Sequence, residues 1–288
     1  MSDKIRKEKL KQNAIHAVSL FEKENPVVFL NEKKTLIVAD IHGDLKALDF
    51  ILDFAAQKKV TSFVFLGDYI DKGSNSIGVL NRLFELKMKN SKKVILLRGN
   101  HETKEVNSFY EFQNAVKDNP KLHKIVNKSF KSMPIAAILN KNIFCVHGGI
   151  SGKKEESVSN ISKADAFDYL WNDPSDENQI TPSPRGGNAK QFGPDIAKRF
   201  LKKNNLKIMI RGHSTLEGGL RFWFEHTVVS LYSTLPYPDP NLKAAVAIVK
   251  GKEIIFYFYR KNKKQELEWE NMSVSMILGN DMSHKNEL

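Results

Sequence analysis

The sequence predicts an α/β (α+β) chain in which a parallel or mixed sheet is covered by helices and a second sheet packs onto it. Three observations point there. Short apolar runs alternate with longer amphipathic ones through most of the chain, and the last apolar runs follow one another with no helix between them. The earlier runs also break off at once into polar residues, as buried strands do where they leave a sheet.

Taken in order, the periodicity predicts a helix over about 5–24, with Ala14, Ala17, Val18 and Phe21 on one face and Pro26 closing it. "TLIVAD" (35–40), "SFVFLGD" (62–68), "KVILLRGNH" (93–101), "IFCVHGG" (143–149) and "KIMIRGH" (207–213) read as buried strands. Helical patterns fill 45–56, 75–89, 103–118 and 194–204, and Asp44, just before "LKALDFIL", is placed to cap the first of these. "TVVSLY" (227–232), "AAVAIV" (244–249) and "EIIFYFYR" (253–260) are close enough to pair antiparallel.

With 288 residues, 41% hydrophobic and 27% charged, the chain has material for one large core. One catalytic domain is the simpler expectation, with an amino-terminal helix to about residue 25, a core over about 30–262 and a tail over about 265–288 that covers the body or meets a partner. No run approaches the roughly 18 apolar residues of a membrane span. The start, "MSDKIRKEKLKQ", has no apolar signal-peptide core behind it. The expectation is a cytoplasmic protein with no membrane partner. The single cysteine, Cys145, excludes an internal disulfide framework and a multi-thiolate zinc site. It lies in an apolar strand and reads as core. The charge of +12 comes from scattered lysines without interleaved aromatics, so a solvated surface is expected rather than a nucleic-acid platform. Trp171 and Trp223 read as core anchors for the same reason.

In sheets of this kind ligands bind outside the carboxyl ends of the strands. Those ends carry Asp40 and His42, Asp68 and Asp71, Asn100 and His101, His147, and His213. Each histidine alone has a simpler reading as a hydrogen-bonded loop residue, but five strands deliver metal-binding side chains to one edge. Oxygen and imidazole donors without thiolates suit manganese, iron or zinc. A shared carboxylate suits two ions about 3.5–4 Å apart, with Asp68 as the bridge.

"DIHGD", "GDYIDKG", "RGNHE", "HGG" and "RGH", in this order, resemble the metallophosphoesterases, and with "SMPIAAILNKNIFCVHGGIS" and "LWNDP" they resemble the phosphoprotein phosphatase branch in particular. The resemblance covers about 35–260. It implies a four-layer fold, a central β-sandwich of two mixed sheets flanked by helices, with metals at the strand carboxyl ends. It also implies that Asp40, His42 and Asp68 hold one divalent ion and that Asp68, Asn100, His147 and His213 hold a second. The implied activity is that of a metal-dependent serine/threonine protein phosphatase, in which a hydroxide bridging the two ions attacks phosphorus. His101 would protonate the leaving alkoxide, with Asp71 holding its imidazole. Lys72 stands where the family has an arginine, keeping the charge and losing the bidentate fork. Arg185, in "SPRGGNAKQFG", aligns with a second phosphate clamp, and Arg98 is expected to pair with Glu102. Tyr237, in "YSTLPYPDP", is a rim residue where relatives carry Ser-Ala-Pro-Asn-Tyr.

The implied partners are a phosphoprotein or phosphopeptide substrate and a regulatory protein. Hydrolases of dinucleoside polyphosphates and other small phosphate compounds share the metal motifs, so that alternative stays open. A nucleic-acid-processing phosphoesterase ranks third, because "GHST" puts Thr215 where such enzymes place a second histidine. A catalytically dead binding or scaffold domain is a fourth reading, against which every expected metal ligand and the acid pair of His101 and Asp71 are present.

Overall fold

The computed structural model describes residues 2–235, 242–278 and 283–286. In chain order, α1 (Asp3–Phe21) leads to β1 (Val27–Leu30), β2 (Lys34–Val38), α2 (Leu45–Gln57), β3 (Ser62–Phe65), α3 (Ser76–Lys89) and β4 (Val94–Leu96). Then come α4 (Lys104–Asn107), α5 (Glu111–Val116), α6 (Pro120–Ser132), β5 (Ala136–Leu139), β6 (Ile143–Val146) and α7 (Phe167–Trp171). The short strands β7 (Asp173–Pro174), β8 (Ile180–Pro182) and β9 (Lys190–Phe192) precede α8 (Pro194–Lys203) and β10 (Ile208–Arg211). The chain continues through β11 (Leu220–Trp223), β12 (Val228–Leu231), β13 (Ala244–Lys250), β14 (Glu253–Lys261), β15 (Leu267–Ile277) and β16 (Ser283–Asn286).

One sheet runs β1-β5-β6-β10-β12-β11, the other β16-β15-β14-β13-β2-β3-β4, and β7, β9 and β8 form a small third sheet. The period of two along each strand sorts side chains between layers. Ile37, Val64 and Ile95 face the space between the large sheets, where they meet Ile143, Cys145, Ile208 and Ile210. Leu36, Val38, Phe63 and Phe65 point the other way, onto α1, α2, α3 and α6. On the far side of the first sheet Phe144, Val146 and Met209 meet Leu170, Ala197 and Phe200 of α7 and α8. Helices, two mixed sheets and helices again make the four layers expected.

The division between sheets differs from the early and late grouping that spacing suggests. The early strands β2, β3 and β4 share a sheet with the late β13 and β14, and the middle strands β5, β6 and β10 form the other. Strand β12 was expected to pair antiparallel with its late neighbours. It lies instead parallel to β10, and only β13 and β14 form the late hairpin. Residues 267–277, read as tail, are a strand antiparallel to β14. The helix expected over 103–118 is broken into α4 and α5, because Ser108–Tyr110 turn so that the Phe112 N–H reaches Asp71 at 2.9 Å. Helix α6 has a start signal in Asn119, which accepts from the Leu122 N–H, followed by Pro120 in the first turn. Asp44 caps α2 by accepting from the Ala47 N–H at 3.0 Å.

Where α1 and α3 pack together, Lys87 is fully buried. Its Nζ donates to the Ser91 and Val94 carbonyls at 2.9 and 2.7 Å and to the Glu24 carboxylate. Burial pulls Lys87 down and pushes Glu24 up. Removing one member of such a pair strands the other. Lys87→Ala is expected to lower the unfolding free energy by about 3–5 kcal/mol in urea titrations.

Candidate metal centre

Asp40 and His42 follow β2, Asp68 and Asp71 follow β3, Asn100 and His101 follow β4, His147 follows β6 and His213 follows β10. Parallel pairing of β2 with β3, β3 with β4 and β6 with β10 sends these loops out at the same end of both sheets. All eight side chains are buried. His42, Asp68, Asp71, Lys72 and His213 adopt positive φ, from 47° to 68°. Such backbone costs about 1–3 kcal/mol per residue and persists only where the surroundings over-determine it.

Here they do. The Asp68 carbonyl accepts from the Ile41 and His42 N–H groups at 3.0 and 2.9 Å. The buried Glu102 carboxylate accepts from the N–H groups of Asp68 (2.7 Å), Tyr69 (2.9 Å) and Gly99 (3.0 Å). A side chain at Gly99 would begin 2.3 Å from Asp68 Oδ1, so only glycine lets the β4 loop close on the β3 loop. Burial and the Asp68 charge push Glu102 up to about 8, against the pull of the donors it accepts from.

Asp68 stands at the middle. Its Oδ2 is 3.6 Å from His42 Nε2 and its Oδ1 is 3.3 Å from His147 Nε2. Asp40 Oδ2 is 3.5 Å from His42 Nε2, and Asp40 Oδ1 accepts from the His213 N–H at 2.9 Å. His147 Nε2 is 3.2 Å from His213 Nδ1, and the Asn100 amide turns its nitrogen toward His147 Nε2 and His213 Nδ1 at 3.0 Å and toward Asp68 at 3.2 Å. The outer nitrogens set the tautomers: His42 Nδ1 lies 3.0 Å from the Ile70 carbonyl and His147 Nδ1 lies 3.1 Å from that of Leu66. A carbonyl only accepts, so each Nδ1 carries the hydrogen and each Nε2 turns a lone pair inward.

Burial works to raise Asp40 and Asp68, but neighbouring imidazoles outweigh it and hold both below the usual carboxylate range. Burial pulls His147 down and His213 well down. Carboxylate oxygens, imidazole nitrogens and the Asn100 amide thus gather at one place, a donor set that fits divalent cations. Two groups have donor atoms within 4.8 Å of one another: His42, Asp68 and His101, and Asp68, His147 and His213. Asp68 belongs to both.

Beside this cluster His101 Nδ1 lies 2.7 Å from Asp71 Oδ2, and its own N–H donates to Asp68 Oδ1 at 3.1 Å. Burial works to lower His101, but Asp68 and Asp71 outweigh it and raise its pKa above the ordinary imidazole value. Lys72 Nζ lies 2.9 Å from His42 Nε2. Arg185 comes to the rim, donating to the His213 carbonyl at 3.1 Å and to Asp173 from Nε at 2.5 Å. Tyr237 lies outside the described residues. Arg98 reaches Glu102 as expected, but through the main-chain carbonyl at 3.2 Å rather than the carboxylate, which is taken by the loop N–H groups.

Sequence reasoning missed several supports. Arg211 is fully buried, donating to Asp173 at 2.7 Å and to the Gly148 carbonyl at 2.7 Å. Asp173 therefore braces both arginines, and both residues lie within motifs already quoted, "LWNDP" and "RGH". Tyr110 stands 5.0 Å from His101, ring to ring, and Trp171 stands 5.7 Å from His213. Trp171, read as a core anchor, thus borders the centre. Cys145 is buried, and burial pushes its thiol up. Among the described residues no helix is long and apolar enough to cross a membrane.

Comparison with known proteins agrees with this geometry. The model of the calcineurin-like phosphoesterase family matches residues 33–215, and the chain belongs to that family. It is a phosphoesterase by fold and by family, with a site for divalent metals. A protein serine/threonine phosphatase from Saccharomyces cerevisiae, described as similar to human phosphatase PP5, superposes with a TM-score of 0.76 and is 27% identical. The match covers 92% of this chain and 89% of that one, in agreement with a place in the phosphoprotein phosphatase branch. A cold-active protein-tyrosine phosphatase of a psychrophilic Shewanella species shares the fold, with a TM-score of 0.59, 15% identity and coverage of 87% and 84%.

Glu102 holds the loops without touching the cluster's centre. Glu102→Gln replaces a carboxyl group whose two oxygens accept from three loop N–H groups by an amide with one acceptor oxygen, leaving N–H groups of the β3 and β4 loops unpaired. The variant is expected to lose about 1–3 kcal/mol of stability and to take up manganese more weakly in calorimetric titration.

Proposed function

We propose that this chain is a metal-dependent serine/threonine protein phosphatase that hydrolyses phosphomonoesters with no covalent intermediate on the protein. The observation that carries the reading is one loop, "GDYIDKG", which gives Asp68 to both donor groups and Asp71 to His101. The likeness to the yeast serine/threonine phosphatase over nine tenths of the chain supports it.

Asp40, His42 and Asp68 would hold one divalent ion, and Asp68, Asn100, His147 and His213 a second. Bound there, such ions lower the pKa of water toward about 7 and offset phosphate charge. The remaining steps belong to the side chains. A serine or threonine alkoxide is a poor leaving group and needs a proton as its bond to phosphorus breaks. His101 supplies it: Asp71 fixes Nδ1, so Nε2 is the nitrogen that gives up the proton, and the neighbouring carboxylates keep the ring protonated to higher pH than usual.

Lys72 meets the phosphate oxygens. Its Nζ stands 2.9 Å from His42 Nε2, at the edge of the proposed ligand set. A cleft of about 630 Å³ lined by His42, Lys72 and Lys261 gives access from solvent. Arg185, already engaged by Asp173, would contribute as a fixed charge at the rim on the His213 side, and Tyr237 is proposed as a rim residue. Residues 173–174, 180–182 and 190–192 form the small sheet that carries Arg185 on its connecting loop.

The test is a substrate panel with manganese: a phosphoserine peptide, p-nitrophenyl phosphate and diadenosine tetraphosphate. The phosphopeptide is expected to be the best substrate, and Asp68→Asn is expected to abolish turnover of all three. His101→Ala should lower kcat on the phosphopeptide by about 10²–10⁴-fold and much less on the nitrophenyl ester, whose leaving group needs no proton. Full activity of both variants would reject the assignment, and preference for the dinucleotide would move it to small-molecule hydrolysis.

A further inference from the structure

On the other side of the β4 loop lies a second cleft, of about 820 Å³, walled by α4, α6 and the segment around Lys163. Six cationic side chains line it: Arg98, Lys104, Lys124, Lys128, Lys131 and Lys163. They come from separate parts of the chain. Lys124, Lys128 and Lys131 follow one face of α6 at intervals of four and three, opposite the buried Leu122, Val126 and Phe130. Like charges at that spacing destabilise a helix by a few tenths of a kcal/mol per pair, roughly, so the stripe contributes nothing to the helix that carries it.

The two cations set into the wall make their hydrogen bonds to carbonyls, with Glu102 and Glu105 near Arg98 and Glu24 and Glu22 near Lys163. Arg98 donates to the Glu102 and Lys163 carbonyls at 3.2 and 3.4 Å, and Lys163 donates to the Phe21 and Glu24 carbonyls at 2.7 and 2.6 Å. A carbonyl positions a cation without cancelling its charge. Among the described residues only Lys128 of the six has a carboxylate at ion-pair distance, Glu22 at 3.6 Å, and both of those side chains are more than half exposed. Glu102 and Glu105 are the acids lining the cleft. The carboxylate of Glu102 is turned away, onto the N–H groups of the catalytic loops.

We propose that this cleft is a binding site for a compact polyphosphate ligand, separate from the metal centre. Its volume is that of a small-molecule site. A phosphate carries about −1.5 to −2 charges near neutral pH, so two or three adjacent phosphates match the cations that face the cavity. Lysine dominates the set, and lysine meets phosphate as a point charge from any direction. The cleft is short, with three lysines spanning only about two turns of helix, roughly 10 Å. That length suits clustered phosphates better than an extended strand of nucleic acid.

Inorganic tripolyphosphate is the probe, titrated into the full chain while lysine acylation is read by mass spectrometry. Protection is expected at Lys104, Lys124, Lys128 and Lys131, with Lys198 and Lys202 of α8 unaffected. The K124E/K128E/K131E variant should bind tripolyphosphate at least tenfold more weakly, and keep the melting temperature and nitrophenyl phosphate turnover of the parent. Even protection of all exposed lysines, protection confined to Lys72, or unchanged affinity in the triple variant would overturn the site. Tighter binding of a single-stranded oligonucleotide or an oligoglutamate to the same lysines would overturn the ligand class.

Discussion

Two buried carboxylates facing inward lone pairs are the constraint on which this structure turns. Asp40 and Asp68 are almost wholly removed from water. An isolated carboxylate in that position gives up its charge or unfolds the region. Both are instead held below the usual carboxylate range by the imidazoles packed against them. Such a cluster calls for positive charge beside it, and Lys72 Nζ lies 2.9 Å from His42 Nε2. The architecture follows from that requirement, since strand ends from two sheets are needed to bring donors around a common point.

The supports are as demanding as the ligands. Five residues of the centre sit in left-handed backbone, and what keeps them there is a set of main-chain hydrogen bonds anchored on Glu102 and the Asp68 carbonyl. Glu102 is uncomfortable in its place, buried and beside another carboxylate, yet its acceptors tie the β3 loop to the β4 loop. Arg211 and Asp173 do the corresponding work behind His213. Rigid ligands of this kind are what separate a metal centre from a group of acidic loop residues.

Much of this was legible in the sequence because the governing patterns are local. Each central strand declares itself by a short apolar run, and each ligand follows within a few residues, so neither depends on knowing the partner strand. Sheet membership is different. Strand β12 has the same composition whether it lies beside β13 or β10, and nothing in "TVVSLY" specifies which. Strand β15 alternates too weakly to read, because its exposed face mixes Glu268, Glu270 and Met272 while Trp269 packs on Phe50 and Phe54. The break between α4 and α5 was hidden for another reason. Local propensity favours one helix there, and the hydrogen bond from Phe112 to Asp71 overrides it.

The loop between β3 and α3 shows why one segment carries so much of the site. In an extended chain Asp68 and Asp71, three residues apart, would point to opposite faces. Left-handed φ at both, 55° and 68°, turns the chain twice, so Asp68 faces the ligand cluster while Asp71 swings to His101 and the Phe112 N–H. The same path, continued at Lys72 with φ of 60°, returns the lysine over His42. The proposed metal donor, acid support and phosphate cation thus share one turn, and their relative positions are fixed by backbone rather than by side-chain packing. An insertion or deletion between residues 68 and 72 would move all three roles together, whereas a substitution at any one of them alters a single role.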